Sequence, residues 1–388
     1  MSVTAAAGFT AAGVTAGLKS AGRDLALVVN TGPQRHAAAV FTSNRVAAAP
    51  VLWSRQAVSD GRADAVVLNS GGANACTGPE GFADTHHTAE RVAQALDISA
   101  QDVLVCSTGL IGERLNMDAL LPAVDAAAAA LTDDDGAAAA AAEAIRTTDT
   151  VSKTAQSGGT GFVVGGMAKG AGMLAPGMAT MLAVLTTDAV ITQPDLDAAL
   201  REAVRVSFNR ADSDGCMSTN DTVVALASGA HPEADASGVD LSEFQAALTE
   251  VCRDLAAQLI ADAEGAHHEI AITTIHAANE DEAETAGRAV ARSNLFKTAI
   301  FGRDPNWGRI LSAVGTTDVA FDPATIDVAV NGVWICRGGG IGEDRSLVDL
   351  SGRQVEITID LKSGDAEATI LTNDLTHDYV HENSAYSS

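Results

Sequence analysis

Residues 169–182, Lys-Gly-Ala-Gly-Met-Leu-Ala-Pro-Gly-Met-Ala-Thr-Met-Leu, put a lysine, a turn rich in glycine and proline, and a hydroxyl into one short stretch. Thr180 stands directly before an apolar run, residues 181–185, so its hydroxyl is expected at the mouth of a buried strand. If the Ala179–Thr180 bond were cut, Thr180 would carry a hydroxyl nucleophile together with its own α-amine as general base. That pairing is one established solution to acyl transfer. Pro176 and Gly177 permit the strained turn such a cleavage needs. Taken alone, a Thr after a Gly/Pro turn is more often an ordinary strand start. Lys169 is less ordinary: in a small, apolar neighbourhood it must reach solvent, pair or serve a ligand.

Other residues could take part in the same chemistry. Ser107-Thr108-Gly109 follows a short apolar strand expected over 103–106. A glycine N–H beside a hydroxyl is what an oxyanion hole requires, and also what many strand-end turns contain. Thr147-Thr148-Asp149-Thr150 closes an Ala-rich tract, where capping is the usual role of such residues. Asp304-Pro305-Asn306-Trp307-Gly308-Arg309 reads as a tight turn anchored by a packed indole. His267-His268-Glu269 with His276 lacks HExxH spacing and a matching Cys/His partner, so no metal site is expected. Gly338-Gly339-Gly340-Ile341-Gly342 is followed by Glu343-Asp344 and not by Gly-Lys-Ser/Thr, so a flexible turn is expected there rather than a phosphate loop.

The elements that must position these groups are mixed. Strands are expected over residues 25–30, 37–42, 65–69, 270–275, 296–301, 326–330, 355–359 and 368–371. Helices are expected over 87–95, over 122–146 with a break near Asp133-Asp134-Asp135-Gly136, and over 195–206, 241–263 and 280–293. In the helix over 241–263, Phe244, Leu248, Val251, Leu255 and Leu259 recur at steps of three and four. No repeat and no Pro- or Ser-rich linker divides the chain, so an α/β or α+β fold of layered sheets in one interdependent unit is expected. The 388 residues carry 47% apolar residues and a formal net charge of −26. That charge argues against nucleic acid and against anionic membranes as partners. The five cysteines are scattered, with no CxxC, and neither a signal peptide nor a membrane span is apparent, so a reduced, cytoplasmic setting is expected.

In chain order, the segments STG (107–109), TTDT (147–150), KGAGMLAPGMATML (169–182), STNDT (218–222), DAEGA (262–266), FGRDPNWGRIL (301–311) and DLTHDYVHENSAYSS (374–388) together resemble the ornithine acetyltransferase family of arginine biosynthesis, also called glutamate N-acetyltransferases. The likeness spans nearly the whole chain. It implies a layered α/β sandwich related in layout to N-terminal-nucleophile enzymes. It implies self-cleavage between Ala179 and Thr180 into an α chain (1–179) and a β chain (180–388) that stay associated, two of each in a heterotetramer. By the same resemblance Thr180 is the nucleophile, Thr108 and Gly109 form the oxyanion hole, and Thr147, Lys169, Thr180, Glu264, Asn383 and Ser388 bind substrate.

The implied reaction moves an acetyl group from N-acetylornithine to glutamate by a ping-pong route through acetyl-Thr180. It uses no cofactor, and acetyl-CoA is a further donor in the bifunctional members. Charge alone pairs Lys169 with a substrate carboxylate and Glu264 with the ornithine ammonium. His267-His268 stand where the family usually has Thr-Lys, Ser388 stands where it often has Thr, and Cys216 is unusual. Two other readings share these residues: a Thr-nucleophile amidohydrolase or aminopeptidase that passes the acyl group to water, and a non-catalytic binding protein with an intact chain.

Overall fold

The structure is a computed structural model and describes residues 2–175, 181–233 and 238–385. Three sheets organise these residues. The first has the order β1 (Phe9–Val14), β2 (Leu25–Asn30), β4 (Ala65–Gly72) and β5 (Val103–Leu110). The second has the order β3 (His36–Phe41), β9 (Thr222–Ala227), β8 (Leu182–Thr187), β7 (Phe162–Lys169) and β6 (Lys153–Gly159). These two sheets face each other. Ala26, Val28, Val66, Leu68 and Leu104 of the first meet Met167, Leu182, Val184, Val224 and Leu226 of the second in one buried cluster.

Helices close both outer faces. Leu25, Leu27, Val67, Val103 and Val105 pack against α2 (Gly78–Leu96) and α3 (Met117–Ala129) through Ala89, Val92, Leu120 and Val124. On the far side, Val164, Leu185, Val223 and Ala225 pack against α5 (Gln193–Arg205) and α6 (Leu241–Ala261). Strands such as β2 and β8 are therefore buried on both faces, which is why they read as unbroken apolar runs and not as alternating ones. Two shorter helices, α1 (Ala49–Ala57) and α4 (Asp135–Ala144), lie beside these layers.

The third sheet pairs β13 (Gly340–Ile341), β12 (Val333–Arg337), β11 (Asp327–Val330), β14 (Gln354–Asp360), β10 (Glu269–Ala277) and β15 (Ala366–Asn373) in that order. Its apolar face, including Ile270, Ile272, Ile357 and Ile370, is covered by α7 (Glu280–Ala291), α8 (Asn294–Phe301) and α9 (Trp307–Val314). A last helix, α10 (His377–Ala385), returns toward the first two sheets. The layered α/β architecture expected from the sequence is present.

One local expectation is corrected. Residues 296–301 form helix α8, capped by the Ser293 hydroxyl that accepts from the Phe296 N–H at 3.3 Å. The buried residues Phe296, Ala299 and Ile300 fall on one helical face, and so short an apolar run cannot be told from a strand by composition. The turn expected in the glycine run at 338–342 is present, as a hairpin between β12 and β13. Arg337 pairs with Gly340 across Gly338 and Gly339, whose φ values of 55° and 68° suit a two-residue mirror-image turn.

Candidate active site

Five elements converge on one cavity, open to solvent, whose lining includes Thr108, Gly109, Thr147, Lys169, Glu264 and Asn383. Thr108 and Gly109 come from the end of β5, and Thr147 from the loop that leaves α4. Lys169 ends β7, Glu264 follows α6, and Asn383 lies on α10. The sequence separates these residues widely; the three layers bring them together. Ala179, Thr180 and Ser388 lie outside the described residues.

The end of β5 is fixed by the strand beside it and by a polar segment across from it. Ser70 pairs with Thr108 and Gly71 with Gly109 in the parallel β4–β5 ladder. Gly109 has φ 129°, and a Cβ there would come within 2.6 Å of the Gly71 and Gly72 backbone, so only glycine fits. From the opposite side Asn220 donates to the Ser107 carbonyl at 2.8 Å and to the Ala73 carbonyl at 2.6 Å. The Thr42 hydroxyl in turn holds the Ser218 carbonyl at 2.7 Å. Residues 218–222 thus tie both facing sheets to the strand end that carries Thr108.

Lys169 is 1% exposed, and its Nζ donates to the Thr108 Oγ at 3.1 Å. Burial pushes its pKa down, Asp149 opposes that most strongly, Lys153 adds to the lowering, and Asp221 and Glu264 oppose it. The Asp149 carboxylate is the anchor beneath it. Its Oδ1 accepts from Lys153 Nζ and from the Gly170 N–H, both at 2.6 Å, and its Oδ2 accepts from the Thr147 N–H at 3.1 Å. Burial alone would raise this carboxyl, but the charges of Lys169 and Lys153 with these hydrogen bonds hold it at about 2. Lys153, wholly buried, also pairs with Asp262 at 2.6 Å. On the far wall Asn383 donates to Glu264 Oε2 at 2.9 Å. Gly172 lets that carboxylate approach, since a Cβ there would lie 2.6 Å from it.

Asp221, fully buried, accepts from the Met181 N–H through Oδ1 at 3.1 Å. Its Oδ2 has no hydrogen-bond partner among the described residues. Burial raises its pKa well above the carboxylate range, partly opposed by the Met181 N–H and Lys169. Asp221, Asn220, Lys153 and Asp262 escaped the sequence reading as working residues. The signal available was a run of polar residues, 218–222, leading straight into the apolar strand β9.

The histidines pair with carboxylates on separate elements: His267 with Asp378, His268 with Asp374 and His276 with Asp360, at 2.7, 2.7 and 2.9 Å. Among the described residues no group of three or more His, Cys, Asp or Glu is arranged to hold a metal. No described helix is long and apolar enough to cross a membrane. All five cysteines are free thiols; burial pushes Cys106 up to about 12, and Cys216 is exposed with its Sγ 3.5 Å from the Asp214 carbonyl.

A model of the ArgJ family matches residues 10–388 of this chain. The arginine biosynthesis bifunctional protein ArgJ of Streptomyces coelicolor is 63% identical over 392 aligned residues, which cover 100% of both chains. The protein of the same name from Thermobifida fusca is 62% identical over 389, again covering 100% of both. A solved structure of ornithine acetyltransferase from Mycobacterium tuberculosis, complexed with ornithine, is 52% identical. It covers 47% of this chain and 96% of its own, with a TM-score of 0.43.

Proposed function

This chain belongs to the ArgJ family and is an enzyme of arginine biosynthesis, and from that premise we propose that it is a self-cleaving acetyltransferase that moves acetyl from N-acetylornithine to glutamate through acetyl-Thr180. The observation that carries the reading is the single cavity shared by Thr108, Gly109, Thr147, Lys169, Glu264 and Asn383. It is reinforced by the anchoring of Met181, the neighbour of Thr180 in the chain, on the buried Asp221.

Processing begins with attack of the Thr180 hydroxyl on the Ala179 carbonyl. The N-to-O acyl shift leaves an ester, and water hydrolyses it to a free carboxylate on Ala179 and a free amine on Thr180. That amine, ordinarily with a pKa of about 7.7–8.0, takes the hydroxyl proton as Thr180 attacks the acetyl carbonyl. The tetrahedral oxyanion is stabilised by the Thr108 hydroxyl and the Gly109 N–H. Because Lys169 donates to the Thr108 oxygen, the Thr108 O–H is left to donate to the oxyanion, and the lysine charge strengthens that bond. Collapse expels ornithine, whose amine takes the proton back from the Thr180 ammonium. Glutamate then attacks the acetyl ester and gives its proton to the same base, restoring Thr180 and releasing N-acetylglutamate. No cofactor enters these steps; acetyl-CoA would serve as an alternative donor to the same hydroxyl. The α and β chains remain together, two of each, in the proposed assembly.

The test is transfer of labelled acetyl from N-acetylornithine in the presence and absence of glutamate. Label appearing in N-acetylglutamate, with parallel-line initial-rate kinetics, is expected. Release of free acetate at the same rate whether or not glutamate is present would contradict transfer and favour a hydrolase.

A further inference from the structure

We propose that Asp149 is a positioning residue for acyl transfer: one carboxylate fixes the two backbone segments that carry Thr147 and Lys169 into the cavity. The proposal rests on the acetyltransferase reading above and adds a residue to it.

The geometry is that of a three-way anchor. Asp149 Oδ2 holds the Thr147 N–H, and Oδ1 holds both the Gly170 N–H and Lys153 Nζ. Thr147 lies just upstream of Asp149 and Gly170 is the residue after Lys169, so each anchor sets the start or end of a segment lining the pocket. Lys153 sits on β6, and Ala168 pairs with it across the β6–β7 ladder, one residue before Lys169. Asp149 does not line the cavity, and its oxygens are taken up by these donors, so it acts through Thr147 and Lys169. Its charge reaches Lys169 as well. The titratable groups facing that lysine are Asp149 after α4, Lys153 on β6, Asp221 before β9 and Glu264 after α6, and Asp149 gives the largest support to its protonated form. An anchored Lys169 is what the contact with Thr108 Oγ requires, and its charge is what strengthens the Thr108 hydroxyl as a donor.

Two substitutions probe charge and geometry, and a third serves as control. D149N removes the charge that helps Lys169 keep its proton and replaces one accepting oxygen with an NH2 that cannot hold its donor. Its kcat/KM should therefore fall and, beyond what lost geometry gives, its alkaline limb should move to lower pH by about 1–3 units. D149E keeps the charge but displaces the anchors by one methylene. It should lose about 10–100-fold in kcat/KM at every pH, with the limb unmoved. D262N takes the other carboxylate from Lys153 without facing Lys169, and should leave the limb where it is in the unsubstituted protein. A D149N limb that coincides with that of D262N, or wild-type kcat/KM in D149E, overturns the inference. If D149N does not fold, D149E decides alone. Absence of acetyl transfer in the unsubstituted protein removes the underlying reading instead, so the two failures are distinguishable.

Discussion

Two regions of the molecule bury lysines, and they treat them differently. Beneath the cavity, Lys153 is gripped directly by Asp149 and Asp262, while its neighbour Lys169 turns its ammonium toward the pocket and Thr108. Where the third sheet joins the second, Lys297 of α8 donates instead to two neutral oxygens, the Ser213 carbonyl and the Thr372 hydroxyl at 3.1 Å. Asp212, Asp214 and Asp374 act on it only at longer range, and burial brings it down to about 8. In that junction the carboxylates are spent elsewhere: Asp212 on Arg292, and Asp374 on the His267 and His268 backbone and the His268 ring.

Buried ion pairs add little to stability compared with apolar packing and are costly to break. A fold keeps them most readily where their exact placement has another use. The pocket floor has such a use, because its charges end at groups that face the cavity. The junction has hydrogen bonds that staple layers together.

The contrast can be broken at three points. The largest effect expected is on turnover: Thr108→Ala should lower kcat by about 100–1,000-fold, the usual loss for one oxyanion donor. Unaltered kcat in steady-state assays would remove Thr108 from the chemistry. Next, Lys153→Met leaves Asp149 and Asp262 buried without their partner and should cost about 3–5 kcal/mol of unfolding free energy. A denaturant titration showing no loss would mean that the floor is not held by that lysine.

The smallest effect belongs to the junction and is a matter of pH. Lys297 has a folded-state pKa below its ordinary 10.5, so the folded state bears the full penalty of the buried charge below about pH 8. As pH rises from there toward 10.5 the unfolded chain holds the extra proton, and stability from this group increases. The stability of the unsubstituted protein relative to Lys297→Met should therefore climb across that window, with no change in kcat. A flat difference would show that the junction lysine does not titrate there.

Much of this contrast was invisible in the sequence, for physical reasons. The apolar strands and the long amphipathic helices announce themselves because packing demands a periodic pattern, and α6 with its Phe244-to-Leu259 stripe is the clearest case. The lining residues Thr108, Gly109, Thr147, Lys169, Glu264 and Asn383 were named through motifs, and the fold brings all six to one cavity. Asp149 was visible only as a member of a capping-like motif, and Asp221 only inside a polar run. What distinguishes them is burial and the donors that reach them from strands far away in the chain, and no local spacing encodes that. The 296–301 segment failed for the opposite reason: its composition was legible, but a run that short suits a strand and a buried helix equally.

The central claim, that Thr180 is freed to act as nucleophile and base, is tested most directly by intact mass and N-terminal sequencing of the freshly purified protein on a denaturing gel. Two fragments, the second beginning Thr-Met-Leu-Ala-Val, are the expected result, and Thr180→Ala should give one uncut, inactive chain. A single 39.4 kDa chain that nonetheless transfers acetyl would contradict the account, since no free amine at Thr180 would then exist to take the proton.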